Sequence, residues 1–136
     1  MSINRLVTFL VCIMVSTSWH SVAAETNLRY TGTFSSLEYH KEAGDLLGTE
    51  IKIVSTRKGY QGALQIAEGG PSELMVVDVF FEKDVIRFEI PKTYAVYGGA
   101  RFEGKIDAKG IKGAFRYQTH VGDPEYLVRG PSYWDR

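Results

Sequence analysis

Between Phe102 and Phe115 the chain reads FEGKIDAKGIKGAF, and its apolar positions run forward and then back. Folded at Ala108 and Lys109, it sets Phe102 opposite Phe115, Gly104 opposite Gly113 and Ile106 opposite Ile111. Residues opposite one another in an antiparallel pair share a face, so one face is apolar and the other carries Arg101, Glu103, Lys105, Asp107, Lys112 and Arg116. This is the pattern of a half-buried hairpin, and it recurs along the chain.

Arg29 to Phe34 reads as a first strand, followed by a long polar connection from Ser35 to Gly48. Glu50 to Thr56 and Tyr60 to Ala67 form a hairpin, and pairing Ile53 with Leu64 leaves a two-residue turn. Leu74 to Phe81 is β-branched and aromatic, Lys83-Asp84 turns it, and Val85 to Ile90 returns until Pro91 ends the run. Here Val79 faces Phe88 and Phe81 faces Ile86, while Phe80 and Val85 join Asp78, Arg87 and Glu89 on the opposite side. After the mirror hairpin, Tyr126 to Arg129 is a short last strand, and Ser132 to Arg136 is a tail with Tyr133 and Trp134.

About eight strands joined by turns, with no helical pattern of useful length, predict an all-β, antiparallel up-and-down meander. The expected form is a small closed or nearly closed barrel, since closure removes exposed strand edges. A sandwich or an open sheet is the alternative. An outer-membrane barrel fits poorly, because its lumen would have to hide Glu103, Lys105 and Arg116. Connections in a meander alternate between the two barrel ends. Those at Lys58-Gly59, Lys83-Asp84 and Asp107 to Gly110 are short and fall at one end. Those at Ser35 to Gly48, Glu68 to Glu73, Lys92 to Gly99 and Thr119 to Glu125 are long and fall at the other. Binding residues concentrate on long loops held by a rigid scaffold.

The amino terminus changes the picture of where this domain works. Arg5, an apolar run from Leu6 to Val15 and small residues ending at Ala24 describe a cleaved secretory signal peptide over 1–24, followed by one domain over 25–136. The apolar run is about half the ~20 residues that span a bilayer as a helix. An exported protein, periplasmic or extracellular, is therefore expected, with no transmembrane segment after cleavage. Cys12 is the single cysteine and leaves with the signal, so the domain must stand on its core without disulfides.

The whole chain carries 16 basic and 16 acidic residues with no basic stripe, which argues against a nucleic-acid partner. No nucleophile elbow, HExxH pair, phosphate-cradling glycine loop or cysteine cluster is present, so neither a catalytic residue nor a cofactor or resident metal is expected. Candidate ligand-binding residues at the loop-rich end are Tyr39, His40, Tyr94, Tyr97 and His120. His40 with Glu42 and Asp45, and His120 with Asp123 and Glu125, supply metal-ligating side chains, but no spacing enforces a coordination geometry. Gly62, Gly104 and Gly113 fall on the inward face, where glycine either bends a strand or opens room for a ligand. The partner classes are thus a small molecule held at the loop-rich end, apolar or amphipathic, or another protein of the cell envelope.

Gly32-Thr33-Phe34 on the first strand and Arg129 on the last resemble the calycin signature of lipocalin-like and avidin-like barrels. In that family a Gly-x-Trp on the first strand is covered by an arginine from the end of the barrel; here Phe34 stands for the tryptophan. The resemblance implies that Arg129 covers Phe34. It implies no biotin contacts, since Ser35-Ser36-Leu37 does not follow the avidin loop pattern. The stretches GDLLGTEIKI, LQIAEGGPSEL and GGARFEGKIDAKGIKGAF also resemble small secreted bacterial proteins of unassigned function.

Overall fold

A computed structural model describes residues 27–136, so the expected signal segment, 1–24, lies outside the described residues. The strands are β1 (Gly32–Ser35), β2 (Glu38–His40), β3 (Asp45–Thr56), β4 (Gly59–Gly69), β5 (Met75–Glu82), β6 (Val85–Glu89), β7 (Arg101–Ile106), β8 (Gly110–Arg116) and β9 (Glu125–Arg129). All pair antiparallel in a meander. β1 pairs with both β3 and β9, which closes an eight-stranded barrel, and β2 is an extra strand beyond it. This architecture is consistent with a calycin-like fold.

The mirror hairpin forms in the register its pattern dictates, with Phe102 opposite Phe115 and Ile106 opposite Ile111. Its turn is fixed by the Asp107 carboxylate, which accepts from Lys109 N at 2.7 Å and Gly110 N at 2.9 Å. A Cβ on Gly113 would sit 2.5 Å from both the Glu103 carbonyl oxygen and the Phe102 ring. The facing glycines therefore let two backbones and one aromatic ring share the space, and they leave no ligand cavity there. Gly62 does the same for Ile51, whose Cδ1 would lie 2.7 Å from an added Cβ. Phe34, Ile51, Leu64, Ile86, Phe102 and Leu127 form the centre of a continuous buried core.

Two expectations need correction. Ile51, not Ile53, faces Leu64, and Ile53 faces Gly62. The turn is Arg57-Lys58, held by Thr56 Oγ1, which donates to the Gly59 carbonyl at 2.9 Å and accepts from Lys58 N at 3.2 Å. A slip of two residues preserves the faces, so alternation alone does not detect it. The second correction concerns Ser35 to Gly48, which is not a loop. β2 continues the β1–β3 register, with Phe34 opposite Ile51 and Tyr39 opposite Leu46, and only residues 41–44 turn.

The apolar face of this projecting hairpin points outward. Leu37 and Leu46 pack with Ala67 under Tyr133 of the tail. The tail is anchored there by the buried Glu50 carboxylate, which accepts from Ser132 Oγ at 2.5 Å and Tyr133 N at 2.7 Å. Trp134 Nε1 donates to Gln65 Oε1 at 2.9 Å. Elsewhere the outer face carries exposed cross-strand ion pairs such as Arg87–Glu103 at 2.8 Å and Arg101–Glu89 at 2.9 Å. Such pairs contribute little to stability individually.

Candidate functional site

The tight end of the barrel is sealed. Arg129 lies over the Phe34 ring, 4.4 Å from its centroid, as the resemblance implies. Its guanidinium donates to the carbonyls of Arg29 at 2.6 Å, Thr31 at 2.8 Å and Ala108 at 3.1 Å. Beside it Tyr30 stacks on Phe81 at 4.1 Å, and its hydroxyl donates to the Lys83 carbonyl at 2.7 Å. Among the described residues, the stacked rings and the Arg129 hydrogen bonds cover this end.

The loop-rich end differs because β1 and β9 part company. They pair only through Phe34–Arg129 and Ser35–Val128. Continuing that register would set Glu38 directly opposite Glu125, and like charges in facing positions destabilise a strand pair. The strands diverge instead, and side chains span the gap. Ser36 Oγ donates to Glu125 Oε2 at 3.0 Å and Thr49 Oγ1 to Glu125 Oε1 at 3.2 Å, while Thr49 N donates to Ser36 Oγ at 2.9 Å.

The divergence leaves a cleft of about 320 Å³, bordered by Ser36, Glu38, His40, Leu47, Glu68 and Glu125, with Thr49, Ile66 and Tyr117 also lining it. None of Glu38, Glu68 and Glu125 has a basic side chain within 4.0 Å among the described residues, where the four ion pairs lie elsewhere. Tyr97 donates its hydroxyl to Glu68 Oε2 at 3.1 Å. Burial first, then that hydrogen bond and the Glu68 charge, push the Tyr97 phenol up to about 12. The Tyr117 phenol is also raised, by burial and then by the charges of Glu68 and Glu125. The cleft is thus negative, with an apolar floor.

Of the candidate residues read from the sequence, His40 lines the cleft. Tyr39 is out of phase with Glu38 and His40 on the same strand and is not part of the lining. Tyr94 and Tyr97 are half-buried against the barrel core, so they cap the barrel end more than they line an opening. Val76 N donates to the Tyr94 hydroxyl at 2.9 Å. His120 stacks on Tyr117 at 4.8 Å, with its Nδ1 3.1 Å from Thr119 Oγ1. The two histidines are not gathered into a metal site: no group of three or more His, Asp or Glu side chains among the described residues is placed to hold a metal ion.

Ser36, Glu38, Thr49, Glu68 and Tyr117 were not singled out from the sequence. The available signal was phase: Ser36 and Glu38 share the inward phase of Phe34, as Thr49 shares that of Ile51. Polar residues at inward positions past the end of a core mark a mouth. No family profile, curated protein or solved structure matches the chain.

Proposed function

We propose that this is an exported binding module that takes a small amphipathic ligand at its loop-rich end. The observation that carries the reading is the cleft where β1 and β9 diverge, which joins an apolar floor at Leu47 and Ile66 to a carboxylate and hydroxyl wall. The barrel interior is filled, with Phe34, Ile51, Leu64 and Ile86 wholly buried. The ligand therefore sits in the mouth and not down the axis. A polar head fits the wall, and a short apolar part fits the floor. The signal-peptide pattern at the amino terminus and the lipocalin-like signature are the grounds for placing it outside the cytoplasm.

Native mass spectrometry on the mature protein, purified gently from the compartment to which it is exported, tests this. The expected result is a stoichiometric small-molecule mass that is lost in Leu47→Trp, which fills the floor. A bare monomer mass, with cleft resonances unmoved by extracts of that compartment, would sink the reading.

A second reading, an envelope protein-interaction factor, rests on β5. Its outer face exposes Val76 at 51% and Phe80 at 68%, with Leu74 beside them at 61%. Aromatic and aliphatic anchors of this kind are enriched at protein interfaces. A photo-crosslinker at position 80 that captures one defined envelope protein would support it, and solvent-only labelling there would end it.

A further inference from the structure

The cleft is bordered by something besides carboxylates, namely open strand edges. Among the described residues, β2 pairs with β3 alone and is the end of the sheet. Across the cleft, β9 from Glu125 to Leu127 pairs with β8 but has no partner on its other side among the described residues, because β1 rejoins it only at Val128. An unpaired strand edge is a template for another strand. The β2 edge is guarded by its brevity and by the inward-pointing charge of Glu38, so the strand that fits it is one that brings a basic residue to that position.

The inward side of that edge is negative for a structural reason. Glu38, Glu68 and Glu125 come from β2, β4 and β9, and all three line the cleft. Continuing the register to seal the seam would bring Glu38 against Glu125, so closure by these two strands carries a cost in like charge. A strand with a basic residue at its inward positions removes that repulsion and also satisfies the edge. In a strand, inward positions recur every second residue, and the residues between them face solvent or the outer rim.

Resting on the binding-module reading, we infer that the ligand class is a short cationic peptide in extended conformation, added as a strand to the β2 edge with alternate Lys or Arg side chains turned toward Glu38, Glu68 and Glu125. The main chain supplies the affinity and the alternate basic residues the selectivity, which is the division of labour in strand addition. Cleft carboxylates open to solvent make the interaction salt-sensitive, with screening over about 8 Å at physiological ionic strength.

The test uses labelled mature protein and three probes followed by NMR. They are a capped five-residue peptide of alternating lysine and valine, the same peptide N-methylated at every second amide in either phase, and spermine. The expected result is that the plain peptide shifts the amides of residues 38–40 and 125–127 and shows main-chain contacts to β2. One N-methylated phase should then bind at least tenfold more weakly. Glu38→Gln and Glu68→Gln should each weaken binding roughly two- to fivefold, the range of an exposed ion pair. Spermine binding as tightly as the peptide, with N-methylation without effect, would overturn strand addition while leaving the cleft a cation site. Silence of all three probes beside a native small-molecule mass would overturn the peptide class but not the binding module; silence of both would overturn the two together.

Discussion

At the tight end, β1 and β9 are joined by main-chain pairing at Phe34–Arg129 and Ser35–Val128, and the Arg129 guanidinium lies over the Phe34 ring. At the loop-rich end, the same two strands are joined only by side chains, through Ser36, Thr49 and Glu125. Among the described residues, one end is covered by the hydrogen-bonded Arg129 guanidinium and by the stacked rings of Tyr30 and Phe81. The other holds carboxylates with no basic side chain within 4.0 Å among the described residues, beside strand edges left open there. The lesson is that a barrel need not be hollow to offer a site. It is enough that one seam fails to close, and here three residues past the last pair decide it.

The sharpest way to break this comparison is to make matched changes at the two ends. Phe34 is fully buried, and Phe34→Ala is expected to cost about 3–5 kcal/mol, the usual range for a large-to-small core change. Ser36→Ala removes the hydroxyl that bridges Thr49 and Glu125, and is expected to cost about 1 kcal/mol or less. Urea unfolding of both variants measures the contrast. Equal losses would mean that the open seam is as integral to the fold as the sealed one.

The sealed end was largely legible in the sequence and the open end was not. Phe102 to Phe115 sets its own register because both strands and the turn lie within one short segment, and the Gly32, Phe34 and Arg129 geometry follows a known pattern. The stretch from Ser35 to Gly48 reads as a polar connection because the usual alternation is inverted there. Leu37 and Leu46 face outward because the tail covers them, and Ser36, Glu38 and Thr49 face inward because that end of the barrel is wet. Tail docking is a contact between residues far apart in sequence, and no local period announces it. Tyr39 was chosen for its chemistry, while the site is selected by phase.

The tail therefore bears on the open end from outside. Removing residues 132–136 takes away both donors to the buried Glu50 carboxylate and uncovers Leu37 and Leu46. The deletion also opens that carboxylate to water, so what is lost is the net worth of a hydrogen bond to a charged group, about 1.5–3 kcal/mol. The expected outcome is a loss in that range, read by thermal or urea unfolding. Amide exchange should quicken first in β2 and the start of β3, with the mirror hairpin unchanged. Uniform loss of protection across the barrel would show that the projecting hairpin is not a separate unit.

The smallest effect is electrostatic and concerns how the capping tyrosines sense the carboxylates. The Tyr97 phenol, ordinarily near 10.0, is pushed up to about 12 by burial and by Glu68. Below pH 10 the folded and unfolded chains both keep this proton, so it gives no pH dependence. Between pH 10 and about 12 the unfolded chain releases the proton while the folded chain retains it, and stability falls as pH rises. Above that window both are ionised and the fall stops. Tyr97→Phe should remove the latest step of an ultraviolet tyrosine titration at a cost of about 1 kcal/mol for its single hydrogen bond. Glu68→Gln should move the step toward 10 without reaching it, because burial, the larger cause, remains. A titration unchanged in Glu68→Gln would mean that the charge at the mouth does not reach the residues that cap the barrel. The two ends would then differ in packing alone.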